Sequence, residues 1–376
     1  MNTPDSLLKK GRDFLARQLR HLITVNKSDR PWEMPVAAAL SMGLPLLVGC
    51  GFGHLEYGLV SSLGGMVFLN LPETPLHHRM VQIIACSFAM TASYALGAFS
   101  HLVPPAMMLV LTFVAILVTM LCRFYRVGPP AGLFFVMAAT IGAYSPIHAW
   151  EDLPLRVGLI TLGCVVASLV AFFYSLVILR RRAPHPIEPL PKANFDYVVF
   201  ESIVIGVFVG VSLLLAQLLR LNNAYWVPVS CLVVLQGMSL KAMWEKQFHR
   251  ILGTCAGLLV AWALLTLPFN PWLISLTMMV ISFIVELLVV RHYGVAAMFI
   301  TPLTILLADA AKLDPNAVGP LIEARFYDTV LGCLTGFAGG ACLHSERFRA
   351  VVGGWLRRLL LGGLWEQESQ ETPPTH

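Results

Sequence analysis

Twelve apolar runs limit what this chain can fold into more than any other feature of its 376 residues. A straight helix needs about 20 residues to cross the hydrocarbon core of a bilayer, and most of the runs approach that length. They are solidly apolar and do not alternate with polar residues, which excludes a closed β-barrel. They fall near residues 35–52, 58–71, 80–102, 104–122, 128–146, 157–179, 198–219, 225–240, 250–267, 271–290, 293–310 and 326–343. The sequence therefore predicts an all-α integral membrane protein with about twelve transmembrane helices, some of them short or broken.

Lysine and arginine are unequally distributed between the predicted loops. If the N-terminus is cytoplasmic, all but four of the 26 basic residues lie on the cytoplasmic side. The exceptions are Arg156, Arg220, Lys312 and Arg325. This bias is typical of multi-pass membrane proteins. We therefore expect both termini to be cytoplasmic, and the same bias accounts for the net charge of +5 without a nucleic-acid partner.

The chain carries an internal duplication, in which three sets of residues recur at nearly constant separation. The recurring sets are His78–Arg79 with His249–Arg250; Arg126, Ala131 and Phe134 with Arg291, Ala296 and Phe299; and Arg156, Leu162, Gly163 and Cys164 with Arg325, Leu331, Gly332 and Cys333. Because six is an even number of helices, both copies enter the membrane from the same side, and we expect two parallel six-helix repeats. The predicted domains are a cytoplasmic amphipathic segment (1–34), the first repeat (35–180), a Pro-rich cytoplasmic linker (181–196), the second repeat (197–344), and a cytoplasmic amphipathic helix with a disordered tail (345–376).

Two predicted segments, 58–71 and 225–240, are too short to cross the membrane as straight helices. Short or interrupted segments at matching positions of two repeats indicate the binding site of a transporter. Tyr225 and Trp226 begin the second segment and are candidates to stack on an aromatic ligand, although aromatic residues are also typical of the membrane interface. Gln236, near its other end, is a candidate hydrogen-bond partner for a ligand or for another helix.

Charged residues in or beside the predicted spans are candidates for chemistry. Glu286 lies inside the tenth span, where an ionisable side chain is costly, and is a candidate for proton coupling or for an ion pair with Arg291. Arg325 and Asp328 are three residues apart and share one helix face, either as a local ion pair or as a substrate-binding arginine with a proton-coupling acid. Arg156 recurs at the equivalent position without an acid three residues on, which favours recognition of a substrate carboxylate by both guanidinium groups.

Two further sets of residues have candidate roles. Basic residues at the predicted inner ends of the spans are candidates for a gate or an inner vestibule for anions, with contact to lipid phosphates as the other explanation. They are His78, Arg79, Arg126, His249, Arg250 and Arg291. Glycines in small-residue patterns predict close helix packing, either in the centre of the protein or in a homodimer. They are Gly163, Gly253, Gly257, Gly332, Gly336 and Gly340.

Motifs that would indicate an enzyme or an ATP-driven pump are absent from the sequence. There is no GxxxxGK[ST] phosphate-binding loop, no G-x-S-x-G nucleophile motif and no cluster with metal-ligand spacing. We therefore expect no enzymatic activity, no cofactor and no metal.

Near residues 224–257 the sequence resembles the fusaric-acid-resistance (FUSC) proteins of the aromatic acid exporter superfamily. The resemblance rests on Tyr225–Trp226 followed by Pro228, on Leu235–Gln236, on His249–Arg250 with Gly253, Thr254 and Gly257, and on Arg325, Asp328–Thr329 and Gly332 in the last span. It covers roughly residues 195–343. The resemblance implies a bacterial inner-membrane protein that exports aromatic or other organic anions at the expense of the proton gradient, in some members with a periplasmic adaptor protein.

Three functional interpretations remain open at this point. The first is a secondary, proton-coupled exporter of small organic acids, with membrane lipids, a homodimer contact and a periplasmic adaptor as further partners. In it, the two short segments enclose an anion between the repeats, Arg156 and Arg325 attract the carboxylate, and Glu286 or Asp328 takes up the proton. The second is a passive anion channel, and the third is a membrane scaffold or accessory subunit without transport of its own.

Overall fold

A computed structural model describes residues 28–147, 149–187, 189, 195–237, 239–266, 270–309 and 318–361. The predicted amphipathic helix before residue 28 and the predicted disordered tail from residue 362 onward lie outside the described residues.

The described residues form helices and contain no β-strand. The main helices are α1 (Glu33–Gly51), α2 (Leu55–Gly65, continued by a 3-10 turn, Met66–Asn70), α3 (Leu76–His101), α4 (Met107–Phe124), α5 (Leu133–Ala143), α6 (Asp152–Ile178), α7 (Glu201–Leu218, preceded by a π-helical turn, Asp196–Phe200), α8 (Trp226–Leu235), α9 (Leu240–Leu265), α10 (Pro271–Val289), α11 (Tyr293–Asp309), α12 (Val318–His344) and α13 (Gly354–Leu361). Eight of them are long and apolar enough to cross a membrane: α1, α3, α4, α6, α7, α9, α10 and α12. The protein is therefore an all-α membrane protein.

Four of the predicted segments form shorter helices. Helices α5, α8 and α11 are apolar but have fewer than 18 residues, and α2 has 11 residues before its 3-10 turn. A helix of 11 residues rises only about 16 Å, roughly half of the hydrocarbon thickness. Twelve membrane crossings therefore remain a prediction, whereas the shortness expected of the segments at 58–71 and 225–240 is present in α2 and α8.

The start of α9 corrects one predicted boundary. The apolar pattern places the start of the ninth segment at Arg250, but α9 begins earlier, at Leu240, with the Ser239 side chain accepting a hydrogen bond from the backbone N–H of Ala242. The first turns of α9 are amphipathic, because Met243 is buried whereas Lys241 and Trp244 are exposed. A search for continuous apolar runs therefore does not detect these turns. Arg250 lies in the third turn of a helix and is buried, rather than at the membrane surface before the helix.

Most helix pairings of the first half recur in the second half of the chain. In the first half α1 packs on α2 and α6, α3 on α5 and α6, α2 on α6, and α4 on α5; in the second half α7 packs on α8 and α12, α9 on α11 and α12, α8 on α12, and α10 on α11. Contacts between the halves also match, since α4 packs on α7 as α10 packs on α1. The short helices α2 and α8 each pack on a helix of the other half, α11 and α5 respectively.

Ion pairs join the two halves at one end of the bundle, which we call the basic end: the starts of the odd-numbered helices and the ends of the even-numbered ones. Glu201 at the start of α7 pairs with Arg123 of α4 and, at 3.4 Å, with Arg349 after α12. At the equivalent contact between α10 and the residues before α1, Glu286 pairs with Arg30, Nη1 lying 3.0 Å from Oε2. The α4–α7 and α1–α10 contacts between the halves thus each carry a carboxylate–guanidinium pair at the basic end.

The six glycines predicted for helix packing lie against neighbouring helices. A Cβ atom at Gly163 would lie 1.7 Å from the backbone oxygen of Ser61 in α2, and one at Gly332 would lie 2.4 Å from that of Val227 in α8. Cβ atoms at the other four positions, Gly253, Gly257, Gly336 and Gly340, would come within 2.6 Å of an atom of another helix or segment. These contacts are made within one chain.

Candidate functional site

Arg325 of α12 is a buried charged group near the end opposite the basic end. Its side chain is 4% exposed, and its Cζ lies 3.8 Å from the ring centroid of Trp226 at the start of α8. Its Nη2 donates a hydrogen bond of 2.6 Å to Oγ1 of Thr304 in α11. Asp328, fully buried, follows one turn later on α12. Three helices thus place a guanidinium on an aromatic face inside the protein, in an environment where cation–π attraction is strong.

Trp226 adds a second donor beside this guanidinium. The indole is 1% exposed, and its N–H makes no hydrogen bond within the described part of the chain. Buried donors without partners are rare in proteins and call for an explanation. A guanidinium and an indole N–H side by side can both donate to one carboxylate.

Tyr225 lies next to Trp226 and joins the two halves of the protein. Its ring centroid is 5.3 Å from that of Trp226 and 5.5 Å from that of Tyr144, at the end of α5. The hydroxyl of Tyr144 accepts a hydrogen bond from the Gln217 side chain at 3.3 Å. In this conformation Tyr225 therefore packs on protein rings, in the place where a ligand ring was expected.

A second buried guanidinium, Arg250 of α9, lies closer to the basic end. Its Nη2 donates to Oγ of Ser230 in α8 at 3.1 Å, and its Nη1 donates to the hydroxyl of Tyr293 in α11 at 3.4 Å. Lys246, one turn earlier on α9, places its Nζ 5.9 Å from the ring centroid of Tyr293. The rings of His249 and His292 lie 6.0 Å apart beside this group.

Successive turns of α8 contact the two buried arginines, Arg325 and Arg250. Trp226 contacts Arg325 and Ser230 contacts Arg250, and four residues of helix span about 6 Å. The closest approach of α12 to α8, at Gly332, lies between them, with its Cβ position 2.6 Å from Cβ of Ser230. We call the four-helix interior formed by α8, α9, α11 and α12 the polar interior. All of it lies in the second half of the chain.

The other predicted substrate-binding residues are placed differently. Arg156 is only half-buried, and its Nη2 lies 3.5 Å from the backbone oxygen of Pro146. Gln236 donates a hydrogen bond of 3.3 Å to the backbone oxygen of Pro130, before α5, so it contacts another segment of the protein. Neither residue lies beside Arg325.

The predicted gate residues are divided between the interior and the surface. Arg79 is buried and donates from Nε to the backbone oxygen of Thr74 at 2.6 Å, and His78 lies 2.8 Å from the hydroxyl of the same Thr74. Arg126 and Arg291 are exposed. Of the six predicted gate residues, only His249 and Arg250 belong to the polar interior.

Glu286 lies in the last turn of α10, nearer to the helix end than the sequence suggested. Its carboxylate is buried and pairs with Arg30, not with Arg291. The acid is therefore held at the contact between α10 and the segment that leads into α1, far from Arg325.

Two cavities open at the basic end. One of about 570 Å³ is lined by residues 28–33, Ile178, Arg181 and Arg182. A second, of about 30 Å³, lies beside Arg30 and Glu286. Neither lies between α2 and α8, where the sequence suggested a cavity for an anion, and every residue of α8 is buried. Helix α8, which contacts both arginines, is therefore covered by other parts of the protein in this conformation.

Thr304 and Ser230, the hydroxyl partners of the two arginines, were missed by the reasoning from sequence. Threonine and serine are common in membrane helices, so neither stands out alone. Comparison of the two repeats would have singled out Thr304, because alignment of Phe134 with Phe299 places Ala139 at the equivalent position.

The second half of the chain is similar to known proteins. A family model described as fusaric acid resistance protein-like matches residues 205–339, and the predicted resemblance to that family is confirmed. The chain is 28% identical over 141 residues to the uncharacterized membrane protein YvaC of Bacillus subtilis (strain 168). This match covers 38% of the chain but only 22% of that relative. No solved structure matches the chain. The matched region contains α8, α9, α11 and α12 up to residue 339.

Proposed function

We propose that this protein, whose second half matches a family of membrane transporters, is a secondary exporter of small aromatic or other organic acids, coupled to protons, in a bacterial inner membrane. The family match supports a transport function in general. The choice of substrate class comes from the chemistry of the polar interior.

The observation that carries the proposal is the pair of donors on α12 and α8. The guanidinium of Arg325 is stacked on the ring of Trp226, whose indole N–H has no hydrogen-bond partner within the described residues, and both side chains are almost fully buried. A carboxylate would accept from both, and an attached aromatic ring would find the ring of Tyr225 next to it. Arg250 and Lys246 supply positive charge farther along the polar interior for an anion moving between the ends of the bundle.

The architecture we propose has two parallel six-helix repeats with both termini in the cytoplasm. The matching helix pairings support the repeats, and the equivalent close approaches at Gly163 and Gly332 support the same alignment of α6 with α12. The concentration of arginine at the basic end supports a cytoplasmic position for that end. A homodimer and a periplasmic adaptor remain predictions.

The direct test is transport by the purified protein in proteoliposomes. Vesicles loaded with radiolabelled benzoate or 4-hydroxybenzoate should exchange or release it faster than protein-free vesicles, and an imposed pH gradient should drive accumulation against the concentration gradient. Flux that a proton ionophore leaves unchanged, together with single-channel currents in planar bilayers, would identify a passive channel instead.

A membrane scaffold is the second candidate function, and the burial of α8 favours it. Both cavities lie at the basic end, and α8 is buried along its length. A scaffold predicts that neither benzoate nor 4-hydroxybenzoate moves in the same vesicles and that the protein co-purifies stoichiometrically with a second membrane protein.

Replacement of Glu286 by glutamine tests the predicted proton-coupling role. We expect Glu286→Gln to abolish the acceleration of transport by a pH gradient, because an amide cannot exchange the proton whose binding would release Arg30. The measurement is the ratio of benzoate flux with and without the gradient, which should fall to about one.

Glu201 provides the matched control for Glu286. It is also a carboxylate at the basic end and also pairs with arginine, through Arg123 and Arg349. Glu201→Gln should retain the gradient dependence even if the variant is less stable. Loss of the dependence in both variants would assign the effect to weakened contacts between the halves, and an unchanged dependence in Glu286→Gln would exclude Glu286 from coupling.

A further inference from the structure

We propose that the organic anion passes through the interior of the second repeat alone, along hydroxyl groups that include Thr254 and Thr301, and that the first repeat is a scaffold with the same packing but no path. This inference rests on the proposed function and adds to it a route and substrate-binding residues. It replaces the expectation of an anion held between two equivalent repeats.

The evidence is a difference between equivalent positions. The recurring His–Arg pair aligns α9 with α3, and on that alignment Thr254 corresponds to Ile83. The recurring phenylalanine aligns α11 with α5, and there Thr301 corresponds to Val136. All four side chains are buried. The repeats therefore share a packing position but fill it with a hydroxyl in one and with a methyl group in the other.

The last helix of each repeat shows the same difference. When the recurring arginine aligns α12 with α6, Asp328 corresponds to Leu159 and Thr329 to Ile160. Ile160 and Asp328 are both fully buried, and Thr329 is nearly so. One hydroxyl is kept in both repeats, because Ser61 of α2 corresponds to Ser230 of α8. Gly163 packs against the first of these serines and Gly332 against the second.

Packing does not account for these polar side chains. The first repeat packs the same helix pairs with isoleucine, valine, alanine and leucine at the equivalent positions, and burial of a methyl group is favourable where burial of a hydroxyl is costly. Five polar side chains in one repeat, Thr254, Thr301, Thr304, Asp328 and Thr329, thus stand where the other needs none. A role that only the second repeat performs explains them.

The hydroxyls can remain satisfied without a ligand. Thr301 donates to the backbone oxygen of Ala297 at 3.0 Å, and Thr329 donates to that of Arg325 at 2.9 Å. A threonine hydroxyl rotates readily and can donate to an anion instead. In the closed conformation these hydroxyls therefore need no water as a hydrogen-bond partner. An anion that separated α9 from α11 would find the same hydroxyls available as donors.

The contact between α9 and α11 is the closed part of this path. A Cβ atom at Gly257 of α9 would lie 2.8 Å from Cβ of Thr301 and 2.9 Å from its hydroxyl. Arg325 and Thr304 lie on one side of this contact, and Arg250 with Tyr293 lies on the other. Movement of α9 away from α11 would join the two arginine groups.

The test compares Thr301→Val with its mirror variant Val136→Thr in proteoliposomes. Each change exchanges a methyl group and a hydroxyl of nearly equal size at equivalent buried positions. We expect Thr301→Val to lower benzoate transport at least fivefold and to shift the ratio of 4-hydroxybenzoate to benzoate rates at least threefold. Val136→Thr should change the rate less than twofold and leave the ratio unchanged. Thr254→Val, at the neighbouring position on α9, should behave like Thr301→Val and is the second variant if the first is poorly folded.

The substrate ratio separates the proposal from a general loss of structure. Partial unfolding lowers both rates equally and leaves their ratio constant, so a constant ratio in Thr301→Val and Thr254→Val would overturn the proposal. So would a shift in Val136→Thr as large as in Thr301→Val, because it would place the first repeat on the path as well. If the wild-type protein moves neither acid, the proposed function itself fails and this inference fails with it.

Discussion

Replacement of Arg325 by lysine should reduce transport of benzoate at least tenfold while the protein remains folded. Lysine keeps a positive charge one turn from the buried side chain of Asp328, so the substitution removes no charge from the interior. It loses the flat guanidinium that lies 3.8 Å from the Trp226 ring and donates to Thr304, and with it the planar fork that suits bidentate binding of a carboxylate. Such a stack contributes about 1–2 kcal/mol in a desolvated site, and a tenfold change in rate corresponds to about 1.4 kcal/mol.

Arg156 is the control for this substitution, because it occupies the equivalent position in the first half. It is half-buried and makes a long contact of 3.5 Å with the backbone oxygen of Pro146. Arg156→Lys should therefore change the rate less than twofold. Equal losses in both variants would restore the symmetric arrangement in which both arginines bind the substrate, and full activity of Arg325→Lys would remove the guanidinium stack from the mechanism.

The sequence predicted the parts of this structure that depend on local pattern. Apolar runs predicted the helices, since each must satisfy its own backbone hydrogen bonds in lipid. The spacing of glycines predicted the faces on which helices approach, as at Gly163 and Gly332. The start of α9 was missed because its first turns are amphipathic, with Met243 buried and Lys241 exposed.

Partners of the buried charges could not be predicted in the same way. Glu286 pairs with Arg30, which lies in the opposite half of the chain, and nothing local distinguishes that partner from Arg291 in the turn that follows α10. The contact exists because α10 packs against α1. Arg325 likewise finds its ring on α8 and its hydroxyl on α11, so the site depends on the packing of three helices and not on one motif.

Among substitutions of glycine by alanine in the described residues, Gly163→Ala should destabilise the protein most. The new Cβ would lie 1.7 Å from the backbone oxygen of Ser61, 2.7 Å from its carbonyl carbon and 3.1 Å from its Cα. A backbone group within a packed helix cannot rotate away as the end of a side chain can, so α2 and α6 must separate. Overpacking of this kind costs about 1–3 kcal/mol, and more where backbone has to move. We expect a large fall in the thermal midpoint in detergent, with much of the protein recovered as aggregate.

Gly158→Ala on the same helix isolates the steric effect from helix propensity. No atom of another segment in the described part of the chain lies within 4 Å of the Cβ position at Gly158, so this variant should be as stable as the wild type or slightly more stable. Gly332→Ala, whose Cβ would lie 2.4 Å from the backbone oxygen of Val227, should behave like Gly163→Ala. If Gly163→Ala and Gly158→Ala have the same thermal midpoint, the close crossing of α2 and α6 does not stabilise the first half. If only Gly332→Ala is unstable, the two crossings are not equivalent, and the alignment of the repeats on which the comparison of Thr301 with Val136 depends would fail.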